Sequence, residues 1–352
     1  MNSRLTAGVV GGGGGGRLSL NALAASERFE PIVAADVKAE VRESLEQAYP
    51  GIRTFATHQE MFRACPTDVV CVSTWPPSHE EIALAAVALP VKGLLVEKPL
   101  GDTAASGGRI LQAVRAAGLP VAVPHGLVAK KTPLEIISRV RGGEIGELKL
   151  VEIQCTGWDI INAGIHWLHF VVNLVGEDRF EDVMALCDAG TRTYRDGMQV
   201  ETAAVTYAET ALGIRVVMHT GDDVRVSRQG KGTLFRIVGT AGAIEFWGWE
   251  NGYLLLNGEF PQGRLIEPEE FAVTGHQRHL DALAEQIDTG QRDYSVAETS
   301  LKALELCEAA YVSSRHRCRV TLPLEAFRRP PETDWDPGRP YSGTGGRDGR
   351  KL

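Results

Sequence analysis

Residues 5–23 read LTAGVVGGGGGGRLSLNAL: an apolar strand-like run, six glycines, then an apolar helical stretch. Gly11, Gly13 and Gly16 stand in the G-x-G-x-x-G register directly after the first run. Such a turn approaches a pyrophosphate closely because no Cβ intervenes, and the following helix offers free N–H groups to the anion. A flexible glycine linker would satisfy the same spacing. The choice between a linker and a binding turn therefore depends on the flanking strand and helix. They predict a dinucleotide-binding strand–turn–helix.

The second apolar run ends in an acid that bears on the choice of cofactor. Asp36 follows Gly16 by twenty residues. A carboxylate there can accept hydrogen bonds from ribose hydroxyls and repels a 2′-phosphate, which predicts NAD rather than NADP. The nearby Lys38 weakens this preference. The other glycines of the run are surplus to cofactor binding, at roughly 0.5–1 kcal/mol of chain entropy each relative to alanine: Gly12, Gly14 and Gly15.

The first 124 residues alternate short apolar runs with helical stretches. The runs lack polar alternation, which is typical of parallel strands covered on both faces: Leu5–Val10, Ile32–Ala35, Val69–Val72, Leu94–Val96 and Val121–Val123. Capping boxes of the S/T-x-x-E type stand at 57–60 and 78–81, and a further helix begins near Thr103. The alternation predicts an α/β fold over residues 1–124, a Rossmann domain with a doubly wound parallel sheet.

Beyond residue 125 the apolar runs alternate with polar residues and are separated by turn signals, as in antiparallel sheets. They are 148–155, 183–187, 203–208, 214–219, 234–238, 243–247 and 253–256. Helices are predicted at 162–174, 276–288 and 295–315. The pattern therefore predicts an α+β domain over residues 125–327, with a large, mostly antiparallel open sheet. Residues 328–352, rich in Pro, Gly, Arg and Asp, are predicted to be a flexible tail or an arm ordered by a partner.

Composition narrows the class of protein. The 352 residues are 43% hydrophobic and carry a formal net charge of -8, so no global basic field attracts nucleic acid. No apolar stretch reaches the roughly 18 residues of a membrane span, and the N-terminus leads straight into a strand rather than a secretory signal. The six cysteines are scattered without a C-x-x-C pair. We expect reduced thiols, a cytoplasmic location and no membrane or nucleic-acid partner.

Two further segments carry a family resemblance. Residues 69–87 read VVCVSTWPPSHEEIALAAV, and residues 93–100 read GLLVEKPL. With the glycine turn they resemble the Gfo/Idh/MocA family, the glucose-fructose oxidoreductase and inositol dehydrogenase group. The Glu97-Lys98-Pro99 triplet is its most specific mark, and residues 73–79 look like inositol dehydrogenases. Shorter pieces at 143–146, 237–242 and 320–323 extend the likeness over about residues 4–325.

The resemblance implies an NAD-binding Rossmann domain and an open-sheet domain whose free face commonly forms homodimers or homotetramers. Besides the glycines and Asp36, the residues implied in cofactor binding are Ser73, Thr74, Trp75, His79, Glu97 and Lys98. Lys98 also follows a parallel strand at its carboxyl edge, where ligands bind in open α/β sheets. Burying the charge of a lysine at the end of an apolar strand is energetically unfavourable unless the lysine has a charged partner or a function. We therefore expect Lys98 to be catalytic or to orient the substrate.

A second cluster, residues 158–169, reads WDIINAGIHWLH and resembles the family's D-x-x-x-H segment. The family places an acid and a histidine on one helix face and uses the histidine as the base. His166 matches the family's histidine, but Asn162 stands where the acid is expected. An asparagine can orient the imidazole or hydrogen-bond a substrate hydroxyl, but it cannot transfer a proton. Asp159 is no simple substitute, although its i to i+7 spacing from His166 returns it to the same side of a helix. His169 replaces an acid of many members, and a metal site on the two histidines lacks an evident third ligand.

Asn162, His169, Asp159 and His125 are the predicted substrate-binding residues, and no metal is expected. His125 and Lys130 leave the Rossmann domain on a segment that faces the active site in this family, where cations would suit a sugar acid. The leading hypothesis is an NAD-dependent dehydrogenase oxidising a secondary hydroxyl of a sugar, inositol or sugar acid. One alternative retains NAD and uses transient oxidation for isomerisation or elimination. Another is a non-catalytic NAD-binding regulator.

Overall fold

The computed structural model describes residues 4–188, 190–191, 193–226, 230–328, 338–340 and 349–350. These residues group into two compact units. One contains the chain up to His125 together with Ala272–Leu301, and the other contains Gly126–Phe271 together with the described residues from Lys302 onward. The segment 272–301, which lies within the predicted second domain, thus packs with the N-terminal unit.

The helices of the described chain are α1 Gly14–Ala25, α2 Ala39–Ala48, α3 His58–Ala64, α4 His79–Val87, α5 Ala104–Ala116, α6 Lys131–Arg141, α7 Ile165–Val175, α8 Gly275–Thr289 and α9 Ser295–His316. The strands are β1 Leu5–Val10, β2 Phe29–Ala35, β3 Arg53–Phe55, β4 Val69–Val72, β5 Gly93–Val96, β6 Val121–Ala122, β7 Leu148–Thr156, β8 Phe180–Cys187, β9 Thr193–Arg195, β10 Met198–Val200, β11 Ala203–Thr210, β12 Arg215–Gly221, β13 Thr233–Gly239, β14 Gly242–Phe246, β15 Tyr253–Asn257, β16 Arg264–Ile266, β17 Val320–Thr321 and β18 Gly349–Arg350.

The N-terminal unit holds a six-stranded parallel sheet in the order β3-β2-β1-β4-β5-β6. All neighbours run parallel, and the order reverses between β1 and β4, as in doubly wound dinucleotide-binding folds. β4 and β5 are buried along their whole length, because helices cover both faces of the sheet. The predicted Rossmann domain is confirmed, with β3 as a strand that the sequence did not predict.

Helix starts in this unit follow the predicted caps only in part. The Thr57 hydroxyl accepts from the Glu60 N–H at 3.2 Å, as the first box requires. The second box is wrong, because the Ser78 hydroxyl donates to the Thr74 hydroxyl and the Trp75 carbonyl instead. A full capping box occurs at α5, where Thr103 and Ser106 each accept from the other's backbone N–H.

The C-terminal unit is built on a nine-stranded sheet in the order β16-β15-β14-β13-β7-β12-β11-β8-β17. Only β7 and β12 pair in parallel, so the mostly antiparallel sheet is confirmed. Side chains of α6, α7 and the later part of α9 share one buried core with one face of the sheet. On the other face of β8 and β11, Met184, Leu186 and Val205 are exposed, with Val205 directly opposite Leu186.

The predicted tail, residues 328–352, lies largely outside the described residues. Its described part contacts the hairpin of β9 and β10, which turns at Asp196-Gly197 with both residues at positive φ. β18 pairs with β9, and Pro340 forms a bridge to Met198. All six cysteines are free thiols, with Cys71, Cys155 and Cys307 buried.

Candidate functional site

The glycine turn follows the end of β1 and is shaped by its neighbours. Gly11 has φ +96°, and a Cβ there would lie 2.4 Å from the Ser73 carbonyl oxygen. A Cβ on Gly16 would lie 1.8 Å from the Gly11 carbonyl oxygen. A Cβ on Gly13, in contrast, would meet no described protein atom within 4 Å. Two of the predicted glycines are thus required by the turn itself, and the third borders open space.

Two glycines described above as surplus have a packing role, which corrects that expectation. A Cβ on Gly12 would lie 2.6 Å from Val41 Cγ1 and 2.7 Å from Leu45 Cδ1, so α2 leaves no room for it. A Cβ on Gly15 would lie 3.3 Å from Glu97 Cγ. The absence of side chains in the turn therefore allows close contact with α2 and with Glu97 after β5, in addition to the approach of a ligand.

The turn fits a dinucleotide. Gly13 is the N-cap residue of α1, and it has no side chain that could accept from the N–H groups of the first helical turn. Such uncapped N–H groups and the helix dipole favour a pyrophosphate. Asp36 is held beside them, because its Oδ2 accepts from the Gly12 N–H at 2.7 Å and its Oδ1 from the Lys38 N–H at 2.9 Å. Each oxygen retains a lone pair for a ribose hydroxyl.

The segment after β4 is tied to both α1 and the end of β5. Ser73 Oγ lies 3.1 Å from Ser19 Oγ of α1, and Trp75 is exposed. His79 is fully buried, with Nδ1 2.9 Å from the Pro99 carbonyl and Nε2 2.9 Å from the Thr74 carbonyl. Burial lowers the pKa of His79, while the two carbonyls oppose that shift. The imidazole thus connects the segment after β4 with the segment after β5 at the carboxyl edge of the sheet.

Glu97 and Lys98 follow β5 at the same edge. Glu97 is buried, and its Oε1 accepts from His276 Nε2 of α8 at 2.7 Å. Burial opposes ionisation of this carboxyl, but the His276 hydrogen bond and the neighbouring positive charges outweigh it, so the pKa of Glu97 lies below its ordinary value. Lys98 is among those positive charges, and it is half-buried. The charge of the lysine therefore interacts with that of a buried anion.

His125 does not present its ring to solvent. It is fully buried, and its Nε2 lies 2.7 Å from the Ser300 hydroxyl of α9. Lys130, expected to add a cation for a sugar acid, belongs to the other unit and pairs with Glu270 at 3.4 Å. Its Nζ also donates to the Trp249 carbonyl. Lys130 thus has an acidic partner within its own unit, and the cationic lining stays a prediction.

The predicted helix at 162–174 is wrong at its start. Residues Ile160–Gly164 form a short π-helical segment, closed by the Gly164 N–H donating to the Asp159 carbonyl, and α7 begins only at Ile165. Asn162 and His166 therefore do not share one continuous α-helix. Such π segments are rare and often mark functional sites.

Buried polar contacts hold the π-helical segment. Asp159 Oδ1 accepts from the Asn162 backbone N–H at 2.8 Å and from its side-chain amide at 2.9 Å. Asp159 Oδ2 pairs with Arg195 at 2.8 Å. Glu201 Oε1 accepts from the Ile160 N–H at 2.7 Å, and its Oε2 from the Tyr311 hydroxyl at 2.8 Å. Burial, reinforced by the charge of Asp159, raises the pKa of Glu201 to about 7.

His166 stands at the start of α7 among aromatic rings. It is 8% exposed, and its ring meets the Trp249 ring edge-to-face at 5.0 Å between centroids. His169 is buried further along the helix, with Nε2 3.4 Å from the Asn173 side-chain amide. Among the described residues there is no group of three or more His, Cys, Asp or Glu side chains that could hold a metal ion.

Several residues of these clusters were not predicted, because their partners are distant in sequence. His276 lies 179 residues from Glu97, and Glu201 lies 41 residues from Ile160. Arg195 likewise lies 36 residues from its carboxylate partner Asp159. No helix in the described ranges is long and apolar enough to cross a membrane.

Comparison with known proteins agrees with this geometry. Residues 5–125 match the family model of Gfo/Idh/MocA oxidoreductases, described as an oxidoreductase family with an NAD-binding Rossmann fold. An inositol 2-dehydrogenase of Acidiphilium cryptum (strain JF-5) is 28% identical over 224 residues, covering 60% of this chain and 66% of the relative. An inositol 2-dehydrogenase of Klebsiella pneumoniae subsp. pneumoniae is 32% identical over 117 residues, covering 32% of this chain and 34% of the relative. These matches thus span less than two thirds of the relatives' length.

A solved structure extends the likeness in fold beyond the matched segment. Levoglucosan dehydrogenase, determined with NADH and levoglucosan, superposes with a TM-score of 0.76 at 17% sequence identity. The superposition covers 91% of this chain and all of that one, 100%. At this identity the likeness concerns the fold. Residues 5–125 of the N-terminal unit are thus similar to the Gfo/Idh/MocA family of oxidoreductases, the family whose model they match.

Proposed function

We propose that this protein is an NAD-dependent dehydrogenase that oxidises a secondary hydroxyl of a sugar, an inositol or a sugar acid. One observation carries the proposal: Glu97, which precedes Lys98, packs against Gly15 in the first turn of α1. The lysine thus belongs to the same edge of the parallel sheet as the uncapped glycine turn. Ligands of open α/β sheets bind at this edge, next to the reversal of strand order.

The proposal gives each side chain a separate task. His166 accepts the hydroxyl proton, for which an imidazole with a near-neutral pKa is suited. Lys98 polarises or orients the substrate oxygen. NAD, held by the glycine turn and Asp36, would supply the hydride acceptor. Asn162 contributes hydrogen bonds and no proton transfer. His79 and His125 are 0% exposed and His169 is 1% exposed, against 8% for His166, so we assign these three histidines supporting roles rather than direct ligand contacts.

Gly11, Gly13, Gly16 and Asp36 remain the proposed cofactor residues, together with Ser73, Thr74, Trp75, Glu97 and Lys98. NAD is proposed over NADP because Asp36 places a carboxylate beside the turn. For assembly, we propose a homodimer or homotetramer through the outer face of the nine-stranded sheet. The apolar side chains Met184, Leu186 and Val205 there are exposed in the single chain. The cytoplasmic location stays a prediction.

The experiment incubates purified protein with NAD and a panel of inositols, aldoses and aldonates, and follows the absorbance of free NADH. A dehydrogenase produces NADH in step with oxidised product. Product formation without free NADH supports the enzyme with retained NAD instead, an alternative that the missing acid at position 162 favours. NAD binding without any turnover supports the non-catalytic regulator.

Variants then test the assigned residues. Lys98→Met and His166→Ala should each abolish turnover while NAD still binds. Lys92→Met, just before the opposite end of β5, and His219→Ala, on β12, are the matched controls and should retain turnover. If Lys98→Met and His166→Ala both keep full activity, the catalytic assignments are wrong.

A further inference from the structure

Trp249 combines exposure with a contact to the proposed base. It is 42% exposed, yet its ring lies against buried His166 and, at 5.3 Å between centroids, against buried Trp167. Most tryptophans place their large apolar surface in a core, because its exposure to water is unfavourable. The exposed surface of Trp249 is therefore available to a ligand next to His166.

The loop that carries Trp249 is anchored by polar contacts. It connects β14 and β15, and Lys130 donates to the Trp249 backbone carbonyl. Asn251 accepts from the Thr132 hydroxyl at 2.8 Å and donates to the Pro268 carbonyl at 2.8 Å. A Cβ on Gly126 would lie 3.4 Å from the indole ring, so a residue without a side chain borders it. The ring is thus positioned by its loop while part of its surface stays open.

The charges around this loop are balanced. Lys130 pairs with Glu270, and Lys231 pairs with Glu250. Each of these two lysines is thereby paired with an acid of the same unit. A carboxylate ligand would have to compete with these acids, whereas a neutral ligand would not.

The chemistry of the Trp249 indole ring then indicates which class of ligand can stack on it. An indole face carries the negative side of its quadrupole and attracts weakly positive C–H edges. A pyranose or an inositol presents several C–H bonds on one face of a rigid ring, whereas an acyclic polyol or aldonate must lose conformational freedom to do so. We propose that Trp249 is the stacking surface for a neutral cyclic polyol whose hydroxyl is oxidised at His166. This inference rests on the proposed function and narrows its substrate class.

The test compares Trp249→Ala, Trp249→Leu and Trp249→Phe with the wild type on cyclic and acyclic polyols at saturating NAD. For cyclic substrates, alanine and leucine should raise KM at least tenfold and change kcat less than threefold, while phenylalanine should stay near wild type. Acyclic substrates should show much smaller changes in KM. Phe271→Ala, another exposed aromatic residue of this unit, is the matched control and should leave KM unchanged.

A purely structural role of Trp249 gives a different result. If the indole only supports His166, the variants lower kcat for cyclic and acyclic substrates alike and shift its pH profile, which would overturn the proposal. Calorimetric binding of myo-inositol and glucose in the presence of NADH provides a readout without turnover. Weaker binding to Trp249→Ala supports stacking, and equal binding overturns it. Absence of turnover in the wild type contradicts the proposed function separately.

Discussion

Asp159 accepts two hydrogen bonds from Asn162 through one carboxylate oxygen, one from the backbone N–H and one from the side-chain amide. The residue that replaces the family's acid is thus a donor to another acid three positions earlier. Arg195 balances the charge of Asp159 through the second oxygen. Restoring an acid at position 162 would therefore not restore the family's arrangement.

Asn162→Asp should destabilise the C-terminal unit rather than activate the enzyme. It removes the donated amide hydrogen bond and places a second carboxylate against Asp159 in a buried site. The neighbouring charge raises the pKa of the introduced carboxyl at position 162 above its unfolded value, so the folded state holds an extra proton that is lost as pH rises. We expect the free energy of unfolding to fall by about 1–3 kcal/mol near pH 8 and by less near pH 5, measured by urea unfolding.

The matched control is Asn257→Asp. The Asn257 side-chain oxygen accepts from the N–H groups of Glu259 and Phe260, and an aspartate oxygen can do the same. Its stability should change by no more than about 0.5 kcal/mol at both pH values. Equal losses at 162 and 257, or a gain at 162 near pH 8, would contradict the role given to Asp159.

The glycine turn offers a test that separates folding from cofactor binding. Gly16→Ala places a Cβ 1.8 Å from a backbone oxygen, so we expect a loss of thermal stability even without NAD. Gly13→Ala meets no described atom within 4 Å, so stability should change little. NAD affinity, measured by calorimetry, should fall at least tenfold for Gly13→Ala, because the new methyl occupies space next to the helix N-terminus. Unchanged affinity would remove Gly13 from the cofactor site.

Asp36→Asn tests the choice between NAD and NADP. The substitution removes the charge that repels a 2′-phosphate while keeping one oxygen able to accept from Gly12 or Lys38. We expect the ratio of the NADP Kd to the NAD Kd to fall at least tenfold, with a stability loss of about 1 kcal/mol from the hydrogen bond that is no longer made. Glu40→Gln, which removes a nearby exposed charge, is the control. Equal changes in the two variants would mean that general charge, and not Asp36, sets the preference.

The sequence predicted the long elements because each carries its own periodicity. The five fully apolar runs became β1, β2, β4, β5 and β6, and the alternating runs after residue 125 became strands of the nine-stranded sheet. Short strands such as β3 and β16 have only three residues, too few to show a period. Their formation depends on a neighbouring strand that is already in place.

The candidate site was predictable only where residues act within their own segment. The register of Gly11, Gly13 and Gly16 and the position of Lys98 after a strand could be inferred from local order. The π-helical start at Ile160 could not, because it depends on Glu201, a residue of a different segment. The packing role of Gly12 could likewise not be inferred, since its contact with α2 exists only in the folded unit.

Glu201 should make stability depend on pH. Burial and the charge of Asp159 raise its folded pKa to about 7, above an unfolded value near 4.3. The folded state therefore binds more protons between these values, and stability falls as pH rises from about 5 to about 7. Glu201→Gln keeps an acceptor for the Ile160 N–H and removes the titration. Relative to wild type, it should gain on the order of 1–3 kcal/mol between about pH 5 and about pH 8 in urea unfolding. Exposed Glu259→Gln should show no such trend, and a parallel pH dependence of Glu201→Gln and wild type would show that Glu201 does not titrate in this range.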